Sequence, residues 1–213
     1  MPNNQVCRGT FTIKMPNWCN NTLTVSGKKK DIAEFKEKAR GEKTALSFAN
    51  FIPRPSILDD TRSPSIIVPT KNLEKEMIEV IKDGFSGYPI TKKISEALIK
   101  KYGADNWYDW QKDNWGTKWD VEAELTDENT RHLEYNFDSA WCPPDRFIYK
   151  IAEMFPKLSF RLTFYEGGCA FKGEMEAENG EVTEDNTEDM THEDFHEMGY
   201  YDGDDCEEEG CKL

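Results

Sequence analysis

The pentapeptide His192-Glu193-Asp194-Phe195-His196 is the arrangement in this chain that comes nearest to a catalytic signature. Its letters fit H-E-x-x-H, in which two imidazoles one helical turn apart hold zinc and the glutamate acts as base. The neighbourhood does not suit that chemistry. A zinc hydrolase buries this helix beside a cleft, among apolar residues, and adds a third ligand. Here Glu188, Asp189, Asp194 and Glu197 crowd it with carboxylates. Thr191 and Asp194 read instead as a helix start and Gly199 as its end. The expectation is a short surface helix with Phe195 and Met198 docked on the body. His192 and His196 are then the candidate ligands for an adventitious metal, and no cofactor is expected.

The second group is aromatic. Trp107, Trp110, Trp115 and Trp119 fall in one short run with Tyr108 among them. Indoles combine large apolar area with a donor at the edge, which suits a partner-binding hot spot. Their alternative use is to anchor a helical segment onto the open face of a sheet. Nucleophilic catalysis finds no constellation: His132 is the one histidine outside the pentapeptide, and neither Gly-x-Ser-x-Gly nor a phosphate-binding glycine loop occurs. The six cysteines, Cys7, Cys19, Cys142, Cys169, Cys206 and Cys211, form no C-x-x-C pair and are too scattered for a disulfide scaffold. Reduced thiols in a cytoplasm are the simple reading.

Charge separates the possible partners. The formal net charge is -14, but residues 1–120 carry +5, residues 121–173 carry -3 and residues 174–213 carry -16. A nucleic-acid binder needs a cationic footprint that displaces counterions from phosphate. Lys28-Lys29-Lys30 is the single basic run, and the acidic end repels phosphate, so direct nucleic-acid binding is disfavoured. The acidic end with Glu207, Glu208 and Glu209 suits electrostatic docking on a basic protein; Asp202, Asp204 and Asp205 with Glu207 to Glu209 are weak calcium candidates that do not match a full EF-hand loop. No stretch is long and apolar enough to span a membrane.

The elements that must position these groups follow from periodicity. Asn21–Ser26 alternates as a half-buried strand. Asp31–Arg40 places Ile32, Phe35 and Ala39 on one helical face. Ala45–Ile52 is an apolar run that reads as a strand, ended by Pro53 and Pro55. Residues 56–131 read as a helical insertion, with stripes at Leu73, Met77, Val80 and Ile81 and at Ile94, Ala97, Leu98 and Tyr102. Leu133, Tyr135 and Phe137 alternate with Glu134, Asn136 and Asp138. Phe147, Ile148, Ile151, Ala152 and Phe155 form an amphipathic helix stopped at Pro156. Leu158, Phe160, Leu162 and Phe164 alternate again, and Ala170–Glu174 adds an edge strand. Two strand–helix–strand units predict an α+β, ferredoxin-like (βαββαβ) antiparallel sheet with two helices on one face, a Trp-rich helical insertion between the halves and an acidic C-terminal extension. The expected boundaries are an N-terminal extension at 1–14, the domain at 15–175 and an acidic tail with a short helix at 176–213.

Five segments carry a resemblance: Met15-Pro16-Asn17-Trp18-Cys19-Asn20-Asn21, Asn50-Phe51-Ile52-Pro53-Arg54-Pro55, Tyr108-Asp109-Trp110, Asn114-Trp115-Gly116-Thr117-Lys118-Trp119 and Ser139-Ala140-Trp141-Cys142-Pro143-Pro144. In combination they resemble the YubB-like ferredoxin-like domain family of phages and conjugative plasmids, over roughly residues 15–175. The resemblance implies a ferredoxin-like domain on a mobile element and carries over no catalytic residue.

The expected function is therefore a non-enzymatic interaction module, binding a host or phage protein in the cytoplasm of an infected or plasmid-bearing bacterium. A counter-defence or host-modulating role follows from that genomic setting. Trp107, Trp110, Trp115, Trp119, Glu207, Glu208 and Glu209 are its candidate partner-binding residues. The competing readings are a metal-dependent or small-ligand enzyme with a site between insertion and tail, and a single-stranded nucleic-acid module.

Overall fold

A computed structural model describes residues 18–72 and 87–199. The strand β1 (Trp18–Ser26) is followed by α1 (Lys29–Ala39), and then by a long connection with single 3-10 turns at Phe48–Asn50, Ser56–Leu58 and Thr70–Asn72. The connection continues through α2 (Lys92–Tyr102) and α3 (Trp107–Trp115). The chain then forms β2 (Glu124–Asn129), β3 (His132–Ala140), α4 (Asp145–Met154), β4 (Ser159–Glu166), β5 (Phe171–Glu178), β6 (Glu181–Asp189) and α5 (His192–Glu197). The six strands make one antiparallel sheet in the order β2-β3-β1-β4-β5-β6. The first four strands, with α1 and α4, are the ferredoxin-like arrangement that the periodicity predicts, and β5 and β6 extend it.

Alternation decides which face is covered. Leu23 and Val25 of β1, Leu133, Tyr135 and Phe137 of β3, and Phe160, Leu162 and Phe164 of β4 point to the helix side and are buried. There they meet Phe35 of α1 and Phe147, Ile148 and Ile151 of α4. Phe35 lies 5.6 Å from Phe160 and 6.3 Å from Tyr135 between ring centroids, and Phe48 lies 4.1 Å from Phe147. Ring pairs at these spacings supply both area and orientation to the core.

The structure corrects four sequence expectations. First, Ala45–Ile52 is not a strand. The Asp120 carboxylate accepts from Ser47 Oγ (2.7 Å), Phe48 N (2.7 Å) and Ala49 N (3.3 Å), bending this run into a 3-10 turn that plugs Phe48 and Phe51 into the core. The second ferredoxin-like strand is β2, whose sequence Glu-Leu-Thr-Asp-Glu-Asn has no apolar face.

Second, the insertion lies between α1 and β2, inside the first half rather than between the halves, and it ends before 124 rather than at 131. In α2 the inward residues are Ser95 and Leu98, while Ile94 is exposed. The expected stripe Leu73, Met77, Val80 and Ile81 lies outside the described residues.

Third, residues 176–189 are not a tail: they complete β5 and form β6. An edge strand needs backbone pairing on one side only, so Glu181–Asp189 can be almost wholly polar. The remaining acidic run, including Glu207, Glu208 and Glu209, and the 1–14 extension lie outside the described residues.

Fourth, Trp110 and Trp115 are buried on the helix side of the sheet and not on its open face. Trp115 donates from Nε1 to Ile52 O at 3.0 Å and meets Phe48 at 6.1 Å. They are core residues and cannot present themselves to a partner. Among the described residues, no helix is long and apolar enough to cross a membrane.

Candidate functional site

The face of the sheet turned away from α1 and α4 is open. Strand parity puts Trp18, Asn20 and Thr22 of β1 there, with Asn136 and Asp138 of β3, Thr163 and Tyr165 of β4, Lys172 and Glu174 of β5, and Asn186 and Glu188 of β6. All of these side chains except Trp18 line a groove of about 730 Å³, a volume in the range of ligand sites. Glu122 and Glu124 border it at one side and Met198 at the other.

The groove is negatively charged. Five carboxylates line it, from Glu122, Glu124, Asp138, Glu174 and Glu188, and Lys172 is the single cation among the described lining residues. Lys172 is already engaged, with its Nζ 2.7 Å from Asp194 and 3.4 Å from Glu188. Asp138 accepts a hydrogen bond from Asn20 Nδ2 across the β1–β3 pair. Glu174 receives Arg161 Nη2 at 2.6 Å.

The short helix α5 closes the far side. Its start is a reciprocal capping box: Thr191 Oγ1 accepts from Asp194 N, and the Asp194 carboxylate accepts from Thr191 N at 2.7 Å. Lys172 and the Thr191 donors hold the Asp194 carboxyl at about 2, below the ordinary carboxylate range. Phe195 is buried, so the helix docks as its sequence predicts. His192 and His196 pack edge to face with ring centroids 4.7 Å apart. No group of three His, Cys, Asp or Glu side chains among the described residues has metal-holding geometry.

On the same face of the sheet, at the start of β1, lies an aromatic cluster that forms a rim two residues before Asn20. The Trp18 ring lies 5.8 Å from Trp119, and Lys118 Nζ sits 4.1 Å above the Trp119 ring. That is cation–π distance, so the exposed indole already faces a positive charge. Trp119 is 44% exposed. Trp141 follows Ala140, the register partner of Trp18; it is 55% exposed and has φ +73°. A left-handed conformation costs an L-residue roughly 1–2 kcal/mol, and here it turns a large aromatic outward. Of the four indoles singled out by spacing, Trp119 belongs to this rim and Trp107 is half-buried beside Tyr108. Trp18 and Trp141 were not singled out, because their neighbours in space are remote in sequence.

Beneath the rim lies a buried polar network. Asn21 Nδ2 donates to Cys19 O (2.7 Å) and Ser139 Oγ (2.9 Å), and Ser139 Oγ donates to Cys142 O (2.6 Å). Gly116 has φ +85°, and a side chain there would collide with Asp145, so α3 can approach α4 this closely only with glycine at the turn. Burial pushes the Cys19 and Cys142 thiols up, and the Glu166 carboxylate pushes Cys169 up. These three thiols stay protonated at neutral pH, which is the opposite of an activated nucleophile.

Residues 114–208 match the family model described as the ferredoxin-like domain in Api92-like protein. The matched segment runs from the end of α3 through β2, β3, α4 and β4 to the two added strands and α5, so the chain carries a ferredoxin-like domain similar to that of the Api92-like proteins. A crystal structure of a protein api92 from Yersinia pseudotuberculosis is similar over 82% of this chain and 98% of that chain, with 11% identity and a TM-score of 0.47. No curated protein matches.

Proposed function

We propose that this chain is a protein-interaction module that docks a basic segment of a partner protein along the open face of its sheet. The observation that carries this reading is the charge of the groove: of its five carboxylates Glu174 is paired with Arg161 and Glu188 with Lys172, while Glu122, Glu124 and Asp138 make no ion pair among the described residues. Carboxylates in a concave surface attract lysine and arginine side chains and raise the association rate. Trp141, the most exposed indole of the rim, adds a second attraction for the same groups, because cations favour aromatic faces. The same charge opposes a nucleic-acid role. Ferredoxin-like RNA modules bind bases on this face with aromatic and basic residues, whereas Glu134, Asn136 and Asp138 occupy the middle of the face here.

The partner in this proposal is a host or phage protein. The setting is the cytoplasm of a bacterium carrying the phage or plasmid, as the resemblance to the YubB-like family implies, and a counter-defence or host-modulating role fits a module of that origin. Fluorescence anisotropy with labelled oligoarginine, oligoglutamate and oligothymidylate across a salt series tests the binding mode. The proposal expects oligoarginine alone to bind, more weakly as salt rises. Binding of oligothymidylate in preference to oligoarginine would refute it.

A further inference from the structure

β6 is an edge of the sheet, and every residue of it except Val182 is exposed. Its backbone direction follows from one bond just past its end. Met190 N donates to Ala170 O at 2.7 Å, one step beyond the pairing of Asp189 with Phe171. Hydrogen-bonded pairs alternate along an antiparallel ladder, so Glu184, Asn186 and Glu188 turn their N–H and C=O groups to β5. Asp185, Thr187 and Asp189 turn theirs outward, and no hydrogen bond among the described residues reaches those backbone groups. The opposite edge is protected. β2 shifts register between Leu125 and Asp127, and Ala123, just before it, accepts from Ala45 N at 3.0 Å. A bulge discourages an added strand, whereas β6 runs regularly from Glu184 to Asp189.

The open edge selects its partner by charge. Glu181, Glu184, Asp185, Glu188 and Asp189 are acids, and β6 has no base. Glu188 pairs with Lys172, and the other four make no salt bridge among the described residues. Like charges on facing strands repel, so a second copy of β6 is rejected here, and a phosphate polymer is repelled in the same way. An extended segment with lysine or arginine at alternate positions meets the opposite condition. Glu184, Asn186 and Glu188 share the groove face, and Asn186 and Glu188 line the groove itself, so the edge continues the acidic surface.

We propose that the partner's basic segment joins this sheet as an added strand, hydrogen-bonded to the outward groups of Asp185, Thr187 and Asp189, with alternate cations beside Glu184 and Glu188 on the groove face. The inference rests on the reading of the groove as a dock for basic protein segments and specifies how the segment is held. In strand addition the backbone bonds supply affinity and the alternate side chains supply specificity. The probe is a capped octapeptide of alternating arginine and valine, and amide exchange of the isotopically labelled full chain is read by NMR with and without it. The Asp185 and Thr187 amides are expected to slow roughly 10-fold or more at saturation. Thr187→Pro removes one outward donor while leaving the bonds to β5, and is expected to weaken the octapeptide roughly 5-fold or more. Thr187→Ala keeps the donor and is expected to bind like the wild-type chain. A bound octapeptide that leaves both amides unprotected, equal affinity for Thr187→Pro, or binding of oligoarginine without binding of the octapeptide would each overturn strand addition and leave the groove reading standing. Failure of both peptides to bind would overturn the two together.

Discussion

Thr117 and Ala140 are joined twice: Ala140 N donates to Thr117 Oγ1 at 3.1 Å, and Thr117 Oγ1 donates to Ala140 O at 3.1 Å. A single buried hydroxyl thus stands in for a neighbouring strand at the end of β3. It fixes the loop after α3 to the sheet, and so sets Trp119, two residues on, against Trp18.

Thr117→Val keeps the shape and removes both bonds, leaving the Ala140 backbone groups unpaired in a buried site. Unfolding by urea is expected to show a loss of about 1–3 kcal/mol. Thr117→Ser retains the hydroxyl and is expected to lose less than half of that. A larger loss in Thr117→Ser than in Thr117→Val would mean that the methyl packing, not the hydrogen bonds, holds the loop.

The β4–β5 turn depends on Glu166, a carboxylate that is 1% exposed. It accepts from Gly168 N at 2.8 Å and Cys169 N at 2.6 Å. Glu166→Ala strands both donors and is expected to cost about 2–3 kcal/mol by denaturant unfolding. A change below about 0.5 kcal/mol would show that the turn forms without it.

Much of this frame is legible in the residues. β1, β3, β4, α1 and α4 each bury one face, so alternation or helical spacing marks them. β2 and β6 are invisible to that test because they are held by backbone pairing and carry polar residues on both faces. Ala45–Ile52 misleads in the other direction: its apolar residues fill the core from a 3-10 turn rather than from a pleated strand. The polar face of β3 is readable as Glu134, Asn136 and Asp138. The closeness of Trp18 to Trp119 is not, since only the fold joins them. Tyr135 alternates like any core aromatic, and nothing in the letters reveals that its hydroxyl lacks a partner among the described residues.

The docking of α5 is expected to depend on pH through Asp194. Its folded carboxyl sits at about 2, held down by Lys172 and Thr191, and an unfolded aspartate titrates near ~3.9. A depressed carboxylate stabilises the docked form above the unfolded value, and that contribution is lost as pH falls through the folded one. The protection of the Phe195 and Met198 amides, taken relative to their intrinsic exchange rates at each pH, should therefore fall between about pH 4 and pH 2. Asp194→Asn should remove this step. Unchanged protection through that window in the wild-type chain would show that the Lys172–Asp194 pair does not hold the helix.

Neutralising the groove tests its charge one group at a time. Glu124→Gln and Asp138→Asn are each expected to weaken oligoarginine roughly 2- to 5-fold at low salt, the size of one exposed ion pair. The difference should shrink as salt rises. Trp119→Leu should weaken it by a similar factor with little dependence on salt, because its contribution is local. Wild-type affinity in all three would place the binding surface elsewhere.

The most direct measurement is an NMR titration of the isotopically labelled full chain with oligoarginine. Salt-sensitive shifts at the amides of Asn20, Thr22, Asn136, Asp138 and Tyr165, with the Trp18 and Trp119 indole N–H signals moving alongside, are the predicted result. Shifts confined to α1 and α4, or none at any ratio, would contradict the assignment of the open sheet face as the docking surface.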